Sequence, residues 1–263
     1  MGIVNVTPDS FSDGGLFLET DAAVSHGLEL VAQGADILDV GGESTRPGAE
    51  PVPLAEELRR VRPTVEALKA LAPGVQVSID TSKAAVAKAA LDMGASFVND
   101  VTALRGDPEM AAVVADSAAD CCLMHMLGEP GTMQHGPRYV DVVDEVRSFL
   151  EERMTFAVGE GIAEERILLD PGIGFGKTAA HNLELLRRLE ELVALGRPVV
   201  IGTSRKSFLG EGDRLPGTIA TNVLALERGA SVFRVHDVAP VAAALASATA
   251  TLTGTWTASE AMT

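Results

Sequence analysis

Three features of the sequence predict an α/β protein whose single domain is a (β/α)8 TIM barrel. Short apolar, β-branched runs recur eight times along the 263 residues, and longer amphipathic stretches rich in Ala, Leu, Glu and Arg separate them. Continuous apolar runs are typical of parallel strands that are buried on both faces. Strict alternation of strands and helices indicates βαβ units, and eight units in this length fit a closed barrel best. A doubly wound open sheet is the alternative, because counting strands does not prove closure.

Each strand can be placed on the chain. The predicted strands are MGIVNV (1–6), DILDVG (36–41), VQVSID (75–80), SFVNDV (96–101), CCLMHM (121–126), ILLD (167–170), PVVIGT (198–203) and VFRVHD (232–237). Gly-Ala-Asp or Gly-Ala-Ser segments at 34–36, 94–96 and 229–231 suit helix C-caps that turn back into a strand. We predict that the barrel occupies residues 1–252 and that 253–263 form a flexible tail.

Composition and charge exclude several classes of partner. The formal net charge of −16 argues against nucleic acid and anionic membranes as partners. We find neither an apolar run long enough to span a bilayer nor a signal-like N-terminal region. Cys121 and Cys122 are neighbours in an apolar run, which indicates buried thiols in a reducing compartment rather than a disulfide or a zinc site. These features predict a cytoplasmic protein.

The segment DPGIGFGKT (170–178) looks like the end of a nucleotide-binding P-loop. That motif requires a glycine five residues before Gly176, where this chain has Pro171. Proline has no backbone N–H, so it is a poor start for a loop whose N–H groups must surround a phosphate. We therefore reject the P-loop and expect Lys177 either at the surface or behind the site.

Polar residues occur at the end of each predicted strand or just beyond it. Because active sites of such barrels lie at the C-terminal ends of the strands, we expect these side chains to meet at one rim. The residues are Asn5, Glu43, Asp80, Asn99, Asp100, His125, Asp170, Ser204, Arg234 and His236.

These residues form two sets with different chemistry. One set is rich in acceptors and matches a flat heterocycle that bears several N–H donors, with Lys206 as the donor to that ring's carbonyl or ring nitrogen: Asp80, Asn99 and Asp170. The other set is rich in donors and suits a phosphate or pyrophosphate: Asn5, Arg46, Arg234 and His236. A heterocycle that carries a pyrophosphate satisfies both sets at once.

Three loops are expected to carry binding residues. TPDSFSDGG (7–15) and GGESTRPGAE (41–50) are dense in Gly, Ser, Thr, Pro and Asp, so we expect them to be mobile. Phe11 either packs against the rim or closes over an aromatic ligand. TSRKS (203–207) is predicted to open a helix, whose free N–H groups would form a site for an anion or a carbonyl.

Eight short segments carry a resemblance to a known family. In chain order they are MGIVNVTPDSFSDGG, DVGGESTRPGA, SIDTSK, FVNDV, LMHM, LLDPGIGFGKT, GTSRKSFLG and RVHDV. Their order and spacing resemble those of the dihydropteroate synthases, folate-pathway enzymes that are the target of sulfonamides. The resemblance implies condensation of 7,8-dihydropterin pyrophosphate with 4-aminobenzoate, assisted by Mg²⁺, to give 7,8-dihydropteroate and pyrophosphate. It also implies a homodimer and an SN1-like mechanism in which pyrophosphate leaves first.

Carried over position by position, the resemblance implies four sets of site residues. The pterin would be held by Asp80, Asn99, Met124, Asp170, Phe175, Gly202 and Lys206. The pyrophosphate would be held by Asn5, Thr45, Arg46, Arg234 and His236, with Asn5 also a ligand of the metal. The 4-aminobenzoate would be framed by Phe11, Pro47 and Ser207. Catalytic roles would fall to Asp80, Asp170, Lys206, Arg46 and Asp13.

Two alternatives remain open on the sequence. A methyltetrahydrofolate-type pterin methyltransferase would share the acceptor set, but it would have no use for an anion cluster of Arg46, Arg234 and His236. A non-catalytic paralogue would keep the fold without the activity, although we would expect such a protein to have lost some of the matched residues.

Overall fold

The structure is a computed structural model that describes residues 1–6, 16–45, 48–129 and 131–255. Four of the predicted site residues lie outside this described part, so their roles stay predictions: Phe11, Asp13, Arg46 and Pro47. The predicted mobile loop at 7–15 lies outside it as well.

Among the described residues, eight strands form at the predicted runs, and β5 begins one residue before its run. They are β1 (Gly2–Asn5), β2 (Ile37–Gly41), β3 (Gln76–Asp80), β4 (Phe97–Asp100), β5 (Asp120–Met124), β6 (Ile167–Asp170), β7 (Val200–Ile201) and β8 (Val232–Phe233). All the strand pairs are parallel, and β1 to β6 are adjacent in chain order. The last two strands are shorter than predicted, with two residues each.

Two parallel bridges close the sheet into a barrel. One joins Leu169 to Val199 and so connects β6 with the β7–β8 pair, and the other joins Gly2 to Val235. At the second bridge, Ile3 N donates to Val235 O at 3.1 Å and Val235 N donates to Met1 O at 2.9 Å. The strand order therefore returns to β1, which confirms the TIM barrel and shows that the open sheet is wrong.

Helices connect the strands and cover the outside of the barrel. They are α1 (Leu16–Ala32), α2 (Leu54–Leu71), α3 (Ala84–Asp92), α4 (Met110–Ser117), α5 (Val142–Gly159), α6 (Ala179–Arg187), α7 (Glu190–Val193), α8 (Leu215–Glu227) and α9 (Val238–Thr253). Within the described part of the chain, none of them is both long and apolar enough to cross a membrane. The helix α9 runs one residue past the predicted end of the barrel, and residues 256–263 of the predicted tail lie outside the description.

Burial on both faces explains why the strands are apolar throughout. Each of β1 to β5 carries a fully buried aliphatic side chain: Val4, Leu38, Val77, Val98 and Leu123. These side chains share one core cluster with helix residues such as Leu68 of α2 and Leu150 of α5. The three predicted C-cap glycines all have left-handed backbone, with φ of 96° or 97°, so the chain turns into β2, β4 and β8 as expected: Gly34, Gly94 and Gly229.

The segment 203–207 does not open a helix, so that prediction was wrong. Only a single 3-10 turn, Ser207–Leu209, follows it, and α8 begins at Leu215. The intervening Gly210 and Gly212 have φ of +108° and +79°, which no right-handed helix can include. A helix dipole therefore cannot contribute to an anion site at Ser204.

Candidate active site

The strand register places three predicted polar residues in one row at the mouth of the barrel. Asn5 aligns with Gly41, Gly41 aligns with Asp80, and Asp80 aligns with Asn99. Asp80 and Asn99 are buried, whereas Asn5 is half-buried at the end of β1. The register thus confirms that these strand ends share one edge of the sheet.

Asp39 is a buried carboxylate that the sequence analysis missed. It is 0% exposed and accepts hydrogen bonds from Ser78 Oγ at 2.6 Å, Asn99 Nδ2 at 3.0 Å and Arg234 Nε at 2.6 Å. It lies on β2, two residues before the strand ends, so attention to strand ends alone passed over it. The feature of the sequence that could have identified Asp39 is its position inside an otherwise apolar parallel strand. A buried carboxylate there requires a charged or hydrogen-bonding partner.

Arg234 connects the two predicted sets. Its Nε lies 2.6 Å from Asp39 Oδ2, and its Nη2 lies 2.7 Å from Asp80 Oδ2. The guanidinium therefore faces the acceptor-rich wall, which now consists of Asp39, Asp80, Asn99 and Asp170. Burial raises the pKa of Asp80 to about 7, and the charge of Arg234 opposes that shift.

Asp170 and Lys206 form the opposite side of the mouth. Gly172 N donates to Asp170 Oδ1 at 2.6 Å, and Lys206 Nζ donates to the carbonyl of Ile173 and lies 4.9 Å from the centroid of the Phe175 ring. Burial raises the pKa of Asp170, while burial lowers the pKa of Lys206 to about 8 against the opposing charge of Asp170. An ammonium, a carboxylate and an aromatic face thus lie together.

Two further predicted pterin residues border this side. Met124 aligns with Asp170 across β5 and β6 and is buried. A Cβ added at Gly202 would lie 3.9 Å from Lys206 Nζ, so Gly202, directly after β7, lies beside the ammonium.

The remaining described residues lie in the segments that follow β2, β7 and β8. His236 Nδ1 lies 2.9 Å from Ser204 Oγ, which also accepts from His236 N at 3.1 Å, so this contact joins the ends of β7 and β8. Thr45 is half-buried in the loop after β2, and Ser207 is exposed in its 3-10 turn. Arg205 pairs with Asp237 at 2.5 Å and is exposed, so it does not join Lys206 at the mouth.

Three of the polar residues expected at the rim have structural partners instead. Glu43 binds Lys83 Nζ at 2.6 Å, and Asp100 accepts from the N–H groups of Thr102 and Leu104 at 2.8 Å each. His125 is buried against Lys177, whose Nζ lies 2.8 Å from its Nδ1. These three side chains therefore have partners within the protein, and their predicted place among the binding groups stays a prediction.

Replacing Gly172 by Ala should strongly destabilise the protein. Gly172 has φ of +66°, and a Cβ there would lie 1.9 Å from the backbone oxygen of His125. Left-handed strain and a forced backbone shift together should lower the free energy of unfolding by about 3 kcal/mol. Urea unfolding measures this loss. Gly74→Ala is the control, because its Cβ meets nothing within 4 Å, and equal unfolding midpoints for both variants would contradict the expectation.

The oxygen atoms at the mouth of the barrel suit a metal ion that is bound mainly through the substrate. Within the ranges that the structure describes, no group of three His, Cys, Asp or Glu residues could hold a metal ion. Mg²⁺ commonly keeps several waters and binds through one or two protein oxygens together with substrate phosphates. The amide oxygen of Asn5, at the rim, fits that mode of binding.

Comparison with known proteins agrees with this geometry. The family profile described as "Pterin binding enzyme" matches residues 1–236. The chain belongs to the pterin-binding enzyme family.

Within this family the chain groups with the dihydropteroate synthases. It is 47% identical over 249 residues to the dihydropteroate synthase of Synechocystis sp., covering 92% of this chain and 86% of that protein. It is 49% identical to a probable bifunctional folylpolyglutamate synthase/dihydropteroate synthase of Haloferax volcanii, of which it spans 29%. The structure of the Xanthomonas albilineans dihydropteroate synthase with 4-aminobenzoic acid matches with a TM-score of 0.90 and 49% identity, covering 96% of this chain and 92% of that one. The methyltransferase alternative is therefore wrong.

Proposed function

We propose that the mouth of the barrel condenses 7,8-dihydropterin pyrophosphate with 4-aminobenzoate, and that the acceptor wall binds the pterin ring. The observation that carries this proposal is the convergence of Asp39, Asp80 and Asp170 around one guanidinium and one ammonium. A pterin offers several N–H donors on one edge and a carbonyl and ring nitrogens on another. Carboxylates therefore suit the first edge and Lys206 suits the second.

The pterin ring would lie between groups from opposite sides of the mouth. Asp80 and Asn99 face it from β3 and β4, and Asp170 faces it from β6. Phe175, Met124 and Gly202 would line the pocket, with the Phe175 ring already in contact with the Lys206 ammonium at 4.9 Å. Closely set carboxylates are costly when buried, so a donor-rich ligand would relieve their repulsion.

The pyrophosphate would lie further out on the rim. Asn5, Thr45, Arg46, Arg234 and His236 are the residues that we assign to it. Mg²⁺ held by Asn5 and the phosphate oxygens would neutralise charge on the leaving group. Arg234 would border both the ring and the pyrophosphate, and its contact with Asp80 supports the ring side of this assignment.

We assign an SN1-like order of reaction steps, which requires no general base. The bond between the pterin methylene carbon and the bridging oxygen breaks, and its electron pair leaves with pyrophosphate. Arg234 and His236 offset the developing negative charge. The lone pair of the arylamine then forms the C–N bond, and the nitrogen loses its proton to pyrophosphate or water. Phe11, Pro47 and Ser207 would frame the arylamine. Asp13 would help to organise the first loop, and Arg46 would bind the leaving pyrophosphate.

An assay of pyrophosphate release tests this function. With dihydropterin pyrophosphate and Mg²⁺, we expect release that depends on 4-aminobenzoate and yields dihydropteroate in equal amount. Binding of the pterin substrate without release would indicate a non-catalytic paralogue. A protein that does not bind the pterin at all would contradict the role of the acceptor wall.

We also propose a cytoplasmic homodimer. The family resemblance supports the dimer, and the buried thiols of Cys121 and Cys122 suit a reducing compartment. Light scattering that gives the mass of one chain would contradict the dimer.

A further inference from the structure

Lys177 is a buried cation outside the set of residues assigned to substrates. Its side chain is 3% exposed. Its Nζ lies 3.0 Å from Gly172 O, 3.0 Å from Phe175 O, 3.4 Å from His125 O and 2.8 Å from His125 Nδ1. The expectation that Lys177 could lie at the surface was therefore wrong.

The contacts of Lys177 show what it does for the backbone. Carbonyl oxygens can only accept, so the amino group must supply the N–H bonds to Gly172 and Phe175. The hydrogen-bond partners of Lys177 Nζ are three carbonyl oxygens and a histidine nitrogen, and the Asp170 carboxylate acts on it as a nearby charge. Burial lowers the pKa of Lys177 to about 7, which shows the cost of holding it there. Burying an amine is unfavourable unless it is hydrogen-bonded, and these carbonyls and the histidine nitrogen supply those bonds.

The segment that Lys177 holds carries the pterin side of the mouth. Gly172 N donates to Asp170, Ile173 O accepts from Lys206, and the Phe175 ring lies below the Lys206 ammonium. Fixing the carbonyls of Gly172 and Phe175 therefore fixes both ends of the turn that aligns these groups.

Aromatic residues surround His125, the partner of Lys177, and bond to the same turn. His125 meets the edge of Phe149 with ring centroids 4.9 Å apart, and Tyr139 Oη donates to Gly176 O at 2.8 Å. Burial, and secondarily the charge of Lys177, lowers the pKa of His125 to about 2, so the imidazole is neutral and Nδ1 can accept from Lys177. The turn after β6 is thus held to the end of β5 by side chains outside the set assigned to substrates.

We propose that Lys177 is a positioning residue for the pterin pocket, because its amino group holds the Gly172 and Phe175 carbonyls in the arrangement that orients Asp170, Phe175 and Lys206. The inference rests on the proposed pterin role of those three residues. Lys177 itself does not touch the substrate. Its loss should therefore impair pterin binding selectively and leave the 4-aminobenzoate side unchanged.

The test is the variant Lys177→Met, which keeps the length of the side chain and removes its N–H donors. We expect the KM for dihydropterin pyrophosphate to rise about 10-fold or more, since small misplacements of binding groups have large effects. The KM for 4-aminobenzoate should change less than about 2-fold, because within the described residues the contacts of Lys177 are to His125 and to the turn after β6, and none is to Ser207. Calorimetry with 6-hydroxymethylpterin should show a matching loss of affinity.

The exposed lysine of α3 provides the matched control. Lys88 is 65% exposed and pairs with Asp92 at 3.0 Å, so Lys88→Met should change neither KM. Equal rises of both KM values in Lys177→Met, or unchanged pterin affinity, would overturn the proposal.

A milder variant keeps the proposal testable where Lys177→Met does not fold. Tyr139→Phe removes only the hydrogen bond to Gly176 O, on the same turn, and should raise the pterin KM about 2- to 5-fold. An unchanged pterin KM in Tyr139→Phe, together with an unfolded Lys177→Met, would make Lys177 a folding residue only and overturn the proposal. Wild-type protein that forms no dihydropteroate would instead contradict the proposed function.

Discussion

Replacing Arg234 by Met should lower the free energy of unfolding by about 3–5 kcal/mol and abolish dihydropteroate formation. The guanidinium contacts Asp39, which is fully buried, and Asp80. Its loss leaves two carboxylates close together in a low-dielectric interior with no cation bound between them. Urea unfolding at neutral pH measures the change, and the pyrophosphate-release assay measures the activity.

A double variant separates the buried charge from other effects of losing Arg234. In Asp39→Asn/Arg234→Met, the more deeply buried of the two carboxylates that lost their cation is neutral, so we expect at least about half of the lost stability to return. Arg59→Met is the surface control, because Arg59 is 45% exposed and pairs with Glu56, and it should cost less than about 1 kcal/mol. If the loss of unfolding free energy in the double variant equalled the sum of the losses in Asp39→Asn and Arg234→Met, the pairing of Asp39 with Arg234 would be contradicted.

Asp170→Asn should lower kcat/KM by about 100-fold while leaving the fold intact. The amide keeps one acceptor, so Gly172 N can still bind it. Its NH2 group would face the N–H donors of the pterin, where the carboxylate offered two acceptors. Steady-state kinetics with varied dihydropterin pyrophosphate measures the effect.

An aspartate at the other end of the barrel gives the matched control for this prediction. Asp120 lies at the start of β5 and accepts from Gln76 Nε2 at 2.8 Å, a bond that Asn can also accept. Asp120→Asn should therefore have kcat/KM within about 2-fold of the wild type. If Asp170→Asn were equally active, Asp170 would not belong to the pterin site.

The order of elements could be predicted from the sequence because each strand is locally distinctive. Eight apolar runs and the recurring Gly-Ala-Asp or Gly-Ala-Ser turns depend on neighbouring residues only, and the structure confirms them at Gly34, Gly94 and Gly229. The acceptor side of the site followed from the same pattern, because parallel strands bring Asp80 and Asn99 into one row. The length of β7 and β8 was overestimated, since apolar residues also line the flanking turns.

The remaining site residues depend on contacts between distant parts of the chain. Asp39 and Arg234 meet across 195 positions, and the contact between Lys177 and His125 joins two loops. Glu43, by pairing with Lys83, shows the reverse case, where a polar residue in a suitable position serves the scaffold. Sequence position alone cannot tell a binding carboxylate from a structural one, because both follow a strand and both are charged.

The seam between β1 and β8 has a consequence for how the protein is made. The carbonyl and the N–H of Val235 bond to the backbone of residues 1 and 3. Nearly the whole domain must therefore emerge from the ribosome before the free edge of β1 is paired. Until then, the nascent sheet presents a strand edge with open backbone groups, which invites pairing with other chains. We therefore expect translation pauses or truncations upstream of β8 to favour aggregation, and chaperone dependence to end once residues 232–235 emerge.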